Sequence, residues 1–179
     1  GKPNVLIDLR VVDDDDKDVA PGEVGELWAR GPNIMKGYLN LPEETSAAIS
    51  DGWLHTGDMA RIDEKGYVYL LDRLKDLVIT GGENVYSSEV EAALHRHPSV
   101  SEAAVIGLPD DKLGEALFAV IVLRPDAEAL AKITDEDLIT HCRDLIGGYK
   151  IPRQYAFTDA LPKSALGKVL KTDLREQYS

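Results

Sequence analysis

The chain has 179 residues, enough for one ordinary domain or two small ones. It is 44% hydrophobic and 29% charged, with a formal net charge of −12. That is the profile of a soluble globular protein, and the charge argues against nucleic acid or an anionic membrane as the main partner. No apolar run approaches the roughly 20 residues that span a bilayer, and no charged-then-apolar leader opens the sequence, so no integral membrane segment is expected. The single cysteine, Cys142, allows no intrachain disulfide. A cytoplasmic location follows as the default, with Cys142 a small core residue on a helix stripe.

In chain order, residues 4–12 read as a strand rich in Val, Ile and Leu. The acidic run Asp13 to Asp16 reads as a solvated connection into the Pro21-Gly22 turn, and Val24–Ala29 is a second strand. A short helix is expected at 43–50, with Pro42 before it and Glu43 and Glu44 where its dipole favours negative charge. Met59–Asp63 and Tyr67–Asp72 flank a glycine-containing loop and read as a hairpin.

After residue 75 the texture changes. Ser88 with Glu91 suggests a capping box for a helix carrying Val90, Ala93, Leu94 and His97, stopped by Pro98. Val100–Leu108 reads as a strand. Ala116–Leu123 is almost continuously apolar and reads as a central strand covered on both faces. Thr134 caps a further helix whose inner face carries Leu138, Ile139, Cys142, Leu145 and Ile146, ended by Gly147-Gly148. A strand at Gln154–Thr158 and a helix at 171–178 complete the chain. The fold class is a β-rich subdomain over 1–74, then a small α+β domain over 75–179: a mixed sheet flanked by about three helices.

Four places could carry chemistry. Asp58 ends Gly52-Trp53-Leu54-His55-Thr56-Gly57-Asp58, where a turn carboxylate can accept two hydroxyls or simply bond its own backbone. Arg73 offers a fork of donors, or is a surface arginine. Gly81-Gly82 permits positive φ and close backbone approach, or is a plain tight turn. Lys168 sits in a Pro/Gly-bounded loop, Leu161 to Lys168, from which a lysine can stabilise developing negative charge, and Lys163 and Lys171 lie nearby as exposed lysines. His95 and His97 share no helix face, and no ligand cluster with metal spacing accompanies them.

Order and spacing join these motifs. Gly22-Glu23-Val24-Gly25-Glu26-Leu27, Gly37-Tyr38, Gly52 to Asp58, Asp72-Arg73 through Gly82, Ser88 to Glu91, and Leu161-Pro162-Lys163 to Gly167-Lys168 resemble the adenylate-forming (AMP-binding) superfamily over nearly the whole chain. The acyl-CoA synthetase branch is the most similar. Ser87 and Ala165 stand where many relatives have Pro.

The resemblance implies a C-terminal portion of an acyl-CoA synthetase: ATP and a fatty or related carboxylic acid give acyl-AMP, and CoA then takes the acyl group. It implies that Asp58 and Arg73 hold the ribose hydroxyls and that Asn84 touches the nucleotide phosphates in one state. Lys75 is then the hinge of a mobile C-terminal lid, and Gly81 and Gly82 line the CoA thiol path. Lys168 is the catalytic lysine, bridging carboxylate and α-phosphate. Residues 1–74 are then the last subdomain of a large N-terminal domain. That domain's phosphate loop and magnesium-binding glutamate are not found here, so the chain alone is expected to be inactive, with ATP/AMP, CoA and Mg2+ as cofactors. The expected partners are the acid, CoA and the rest of a parent chain, with self-association through the uncovered β surface. A stand-alone lid-like CoA- or protein-binding module and a peptide-synthetase adenylation domain are the alternatives.

Overall fold

Alternation and turn chemistry build the first half. The computed structural model describes residues 1–125 and 133–179, which divide into two units, Gly1–Lys75 and Asp76–Ser179. In the first, β1 (Asp8–Val12), β2 (Val24–Arg30), β3 (Ile49–Ser50), β4 (Trp53–Ile62) and β5 (Val68–Arg73) form one antiparallel sheet in the order β1-β2-β4-β3, with β5 on β4. Val11, Leu27 and Ala60 form its buried core, with Leu9, Ile62 and Val68 packed around them.

The expected strand over 4–12 is pared to Asp8–Val12, because Ile7 N–H bonds Asn4 O in a preceding turn. Helix α1 (Pro42–Ala48) has Pro42 in its first turn and ends two residues early. Ile49 and Ser50 turn instead into β3, and Asp51 and Gly52, both at positive φ, make the two-residue turn to β4.

The second unit is organised by β9 (Gly114–Leu123). It pairs with β8 (Val100–Asp110), with β6 (Leu77–Thr80) and, in parallel, with β10 (Gln154–Phe157), while β7 (Glu83–Tyr86) closes the edge on β6. The apolar run has a simple cause. Leu117, Ala119 and Ile121 face one core, made with Val90, Ala93 and Leu94 of α2 (Ser87–His95) and Leu138 and Cys142 of α3 (Asp135–Arg143). Phe118, Val120 and Val122 face the other, under Leu174 of α4 (Lys171–Tyr178) and Leu161. A strand buried on both faces cannot alternate.

Thr134 and Asp137 form a full capping box on α3. The helix stops at Arg143, so Ile146 reaches the core from the following turn and Leu145 stays exposed. The Ser88 cap is corrected: α2 starts at Ser87 with Tyr86 at its N-cap and no side-chain cap bond. Glu91 points elsewhere, accepting from the Val105 N–H at 2.8 Å. Burial pushes the Cys142 thiol up to about 11, so it is a packing group and no thiolate. No helix among the described residues is long and apolar enough to cross a membrane.

Candidate active site

Asp58 and Arg73 stand directly opposite on β4 and β5. Arg73 Nε meets Asp58 Oδ1 at 2.9 Å, and Arg73 Nη1 donates to Thr56 O at 3.2 Å. A bulge in the β4–β5 register follows at Met59/Ala60. The expected turn before Asp58 is in fact an irregular stretch of β4. Gly57 lies at φ 66, and its N–H donates to Glu26 Oε1 at 3.0 Å. Glu26 Oε2 takes Trp28 Nε1–H at 2.9 Å. Thr56 Oγ1 donates to Leu27 O at 2.6 Å and accepts from Asp58 N–H at 3.1 Å. Glu26 and Thr56 thus hold the backbone that aims Asp58, a job that neither residue type announces. Asp58 is left with one carboxylate oxygen without a protein partner among the described residues, beside a half-exposed guanidinium. A carboxylate oxygen flanked by a donor fork suits vicinal hydroxyls.

Lys75 is exposed on a single 3-10 turn, Leu74–Asp76, and the next residue, Asp76, is buried. Asp76 accepts from Arg175 Nη2 at 3.1 Å.

Gly81 and Gly82 form the two-residue tip between β6 and β7, at φ 60 and 86. Positive φ at both positions is what a type I′ turn demands. Gly81 N–H donates to Leu113 O at 2.9 Å, and the Asp110 carboxylate fixes that neighbour by accepting from Lys112 and Leu113 N–H, each at 2.9 Å. Those bonds hold the Asp110 carboxyl below its usual range. A Cβ on Gly82 would meet nothing within 4 Å, so its outer side is open. Asn84, also exposed, sits opposite Ile79 on the same hairpin.

Beside the hairpin lies a cleft of about 600 Å³ lined by Gly81, Leu113, Arg143, Tyr149, Pro152 and Arg153. Its far wall is the 3-10 turn Gly148–Lys150, fastened when Lys150 Nζ reaches both Glu89 carboxylate oxygens at 2.8 and 2.7 Å. Two arginines beside an apolar, open glycine tip can bind a phosphorylated chain. No spacing signal pointed to Arg143 and Arg153, which lie far from the hairpin in the chain.

Lys168 is exposed on a separate loop of the same unit. Ser164 and Gly167 close that loop: Gly167 N–H donates to Ser164 O at 2.9 Å and Ser164 N–H to Lys168 O at 2.8 Å. Lys171 is a correction. It is no surface lysine: its side chain is 14% exposed and pairs with Glu91 at 2.7 Å. No group of three or more potential metal ligands occurs among the described residues.

Two family models match, "AMP-binding enzyme" over residues 1–39 and "AMP-binding enzyme C-terminal domain" over 89–168. The chain belongs to the adenylate-forming, AMP-binding enzymes, of which it is a C-terminal portion. It is 44% identical over 177 residues to a long-chain-fatty-acid–CoA ligase of Salmonella typhimurium, covering 99% of this chain and 31% of that protein. ATP-bound MatB from Rhodopseudomonas palustris superposes with a TM-score of 0.91 at 39% identity, covering 99% of this chain and 35% of that one. The o-succinylbenzoate CoA synthetase of Bacillus subtilis, in complex with its acyl-adenylate intermediate, gives 0.90 at 38%, covering 98% and 35%. The chain spans about a third of the length of the relatives it matches.

Proposed function

We propose that this chain works within a longer AMP-forming acyl-CoA synthetase of the cytoplasm. The parent enzyme joins a carboxylic acid, fatty or related, to ATP, releases pyrophosphate, and passes the acyl group from acyl-AMP to CoA. The observation that carries this reading is the Asp58–Arg73 pair: a partnered carboxylate with one oxygen left over, placed on adjacent strands just before the Lys75 turn.

In this reading the spare Asp58 oxygen and the Arg73 guanidinium hold the ribose hydroxyls, and Asn84 reaches the nucleotide phosphates in one state. Lys75 is the hinge, after which residues 76–179 move as a lid. Lys168 neutralises charge that builds on the acyl carboxylate and α-phosphate as they join. Gly81 and Gly82 let the pantetheine thiol pass close to the backbone, and Arg143 and Arg153 in the neighbouring cleft take phosphates of CoA. Lys168 and Gly82 lie on different loops, which suits groups used in different half-reactions. Magnesium, bound with ATP, finds its ligands in the rest of the parent chain.

ATP–pyrophosphate exchange tests the reading. The full-length protein should exchange with a suitable acid and lose that activity on Asp58→Asn, while this chain alone should show none. Exchange by the isolated chain would overturn the assignment of the fragment as inactive, and undiminished exchange by Asp58→Asn would overturn the nucleotide site.

A further inference from the structure

We propose that Lys171 is a positioning residue for Lys168, acting through Glu91 and Ser87. The inference rests on the reading of Lys168 as the adenylation lysine.

Lys171 is the first residue of α4, three residues after Lys168 and so within about 11 Å of chain from it. Its Nζ lies 2.7 Å from Glu91 Oε1 and 2.6 Å from Ser87 Oγ, and Ser87 is fully buried. The other leg of the lysine loop is pinned in the same way, by Lys163 Nζ to Glu102 Oε2 at 2.6 Å. Between the pins the two legs pair, through a bridge of Lys163 with Val169 and a bond from Leu170 N–H to Pro162 O at 2.9 Å. The loop that presents Lys168 is therefore clamped at its base.

Stability alone is a poor account of the Lys171 clamp. Leu174 already seats α4 in the core, and a shielded ion pair gains little over an apolar contact because both charges are desolvated. What charge-assisted hydrogen bonds add is direction: they admit one placement of the helix start. Ser87 follows directly on Tyr86, the last residue of the glycine hairpin. The clamp thus ties the origin of the lysine loop to the base of that hairpin.

The test uses the full-length protein, with acyl-AMP formation and thioester formation from supplied acyl-AMP measured separately, and thermal unfolding alongside. Lys171→Met should slow adenylation by about 10- to 100-fold, the cost of small misplacement of a reacting group, and leave thioester formation nearly unchanged. Lys171→Arg, which keeps the charge, should recover most of the rate, and Ser87→Ala should show a smaller loss in the same step. Equal loss in both half-reactions, or no loss in either while Lys168→Ala abolishes adenylation, overturns the proposal and leaves the role of Lys168 intact. Normal adenylation by Lys168→Ala sinks that underlying role and the proposal with it. Should Lys171→Met fail to fold, Ser87→Ala decides, because it removes the buried hydroxyl that Lys171 Nζ reaches and leaves the backbone N–H in place. A slower adenylation at unchanged stability supports the clamp, and an unchanged rate contradicts it.

Discussion

Asp76 accepts a hydrogen bond from Arg175, 99 residues further along the chain, while Lys75 immediately before it is exposed. The two side chains are 12% and 28% exposed. The second unit therefore begins abruptly: its first residue is tied to its last helix. Asp76→Ala should lower the unfolding free energy of this unit by about 1–3 kcal/mol, the cost of losing a shielded charge-assisted hydrogen bond. Urea unfolding of the whole chain measures it.

Gly82 should tolerate a side chain sterically but not conformationally. Nothing lies within 4 Å of its Cβ position, yet φ is 86. Gly82→Leu should cost about 1–2 kcal/mol in backbone strain. In the full-length enzyme it should slow thioester formation more than adenylation, because the new side chain fills the open outer face of the hairpin. Rapid-quench measurement of the two half-reactions would show the split, and equal slowing would remove Gly82 from the thiol path.

His97 should make the second unit sensitive to mild acid. Its ring packs edge-on against His141 at 5.1 Å, and its Nδ1 accepts from Ser99 N–H at 3.3 Å. Burial first, then the neighbouring His141, hold its pKa below the usual 6.5, with Asp137 opposing. The folded form thus binds this proton less readily than the unfolded chain. The stabilisation is complete above about 6.5 and is lost as pH falls through the lower folded value. Thermal unfolding from pH 7.5 to 5 should show the loss, and His97→Gln should flatten it.

The sequence displayed the central strand, the Thr134 cap, the terminal helix and the glycine turn, because each depends on local composition. It did not display the Ser87 start of α2: Glu91, the second half of the apparent capping box, accepts from the Val105 backbone and pairs with Lys171, 80 positions away in the chain. The same holds at the candidate site. Asp58 and Arg73 were visible as motif residues, whereas Glu26 and Thr56, which aim Asp58, look like ordinary strand residues until β2 lies beside β4. Arg143 and Arg153 meet Gly81 only after the sheet and α3 assemble. Lys171 read as exposed because nothing local announces an acidic partner on a helix 80 positions earlier in the chain.

The most direct measurement is on Lys168→Ala in the full-length protein, with the two half-reactions assayed separately. Formation of acyl-AMP should be lost while thioester formation from supplied acyl-AMP persists. Equal loss of both, or adenylation at the unaltered rate, would contradict the role of Lys168 as the adenylation lysine.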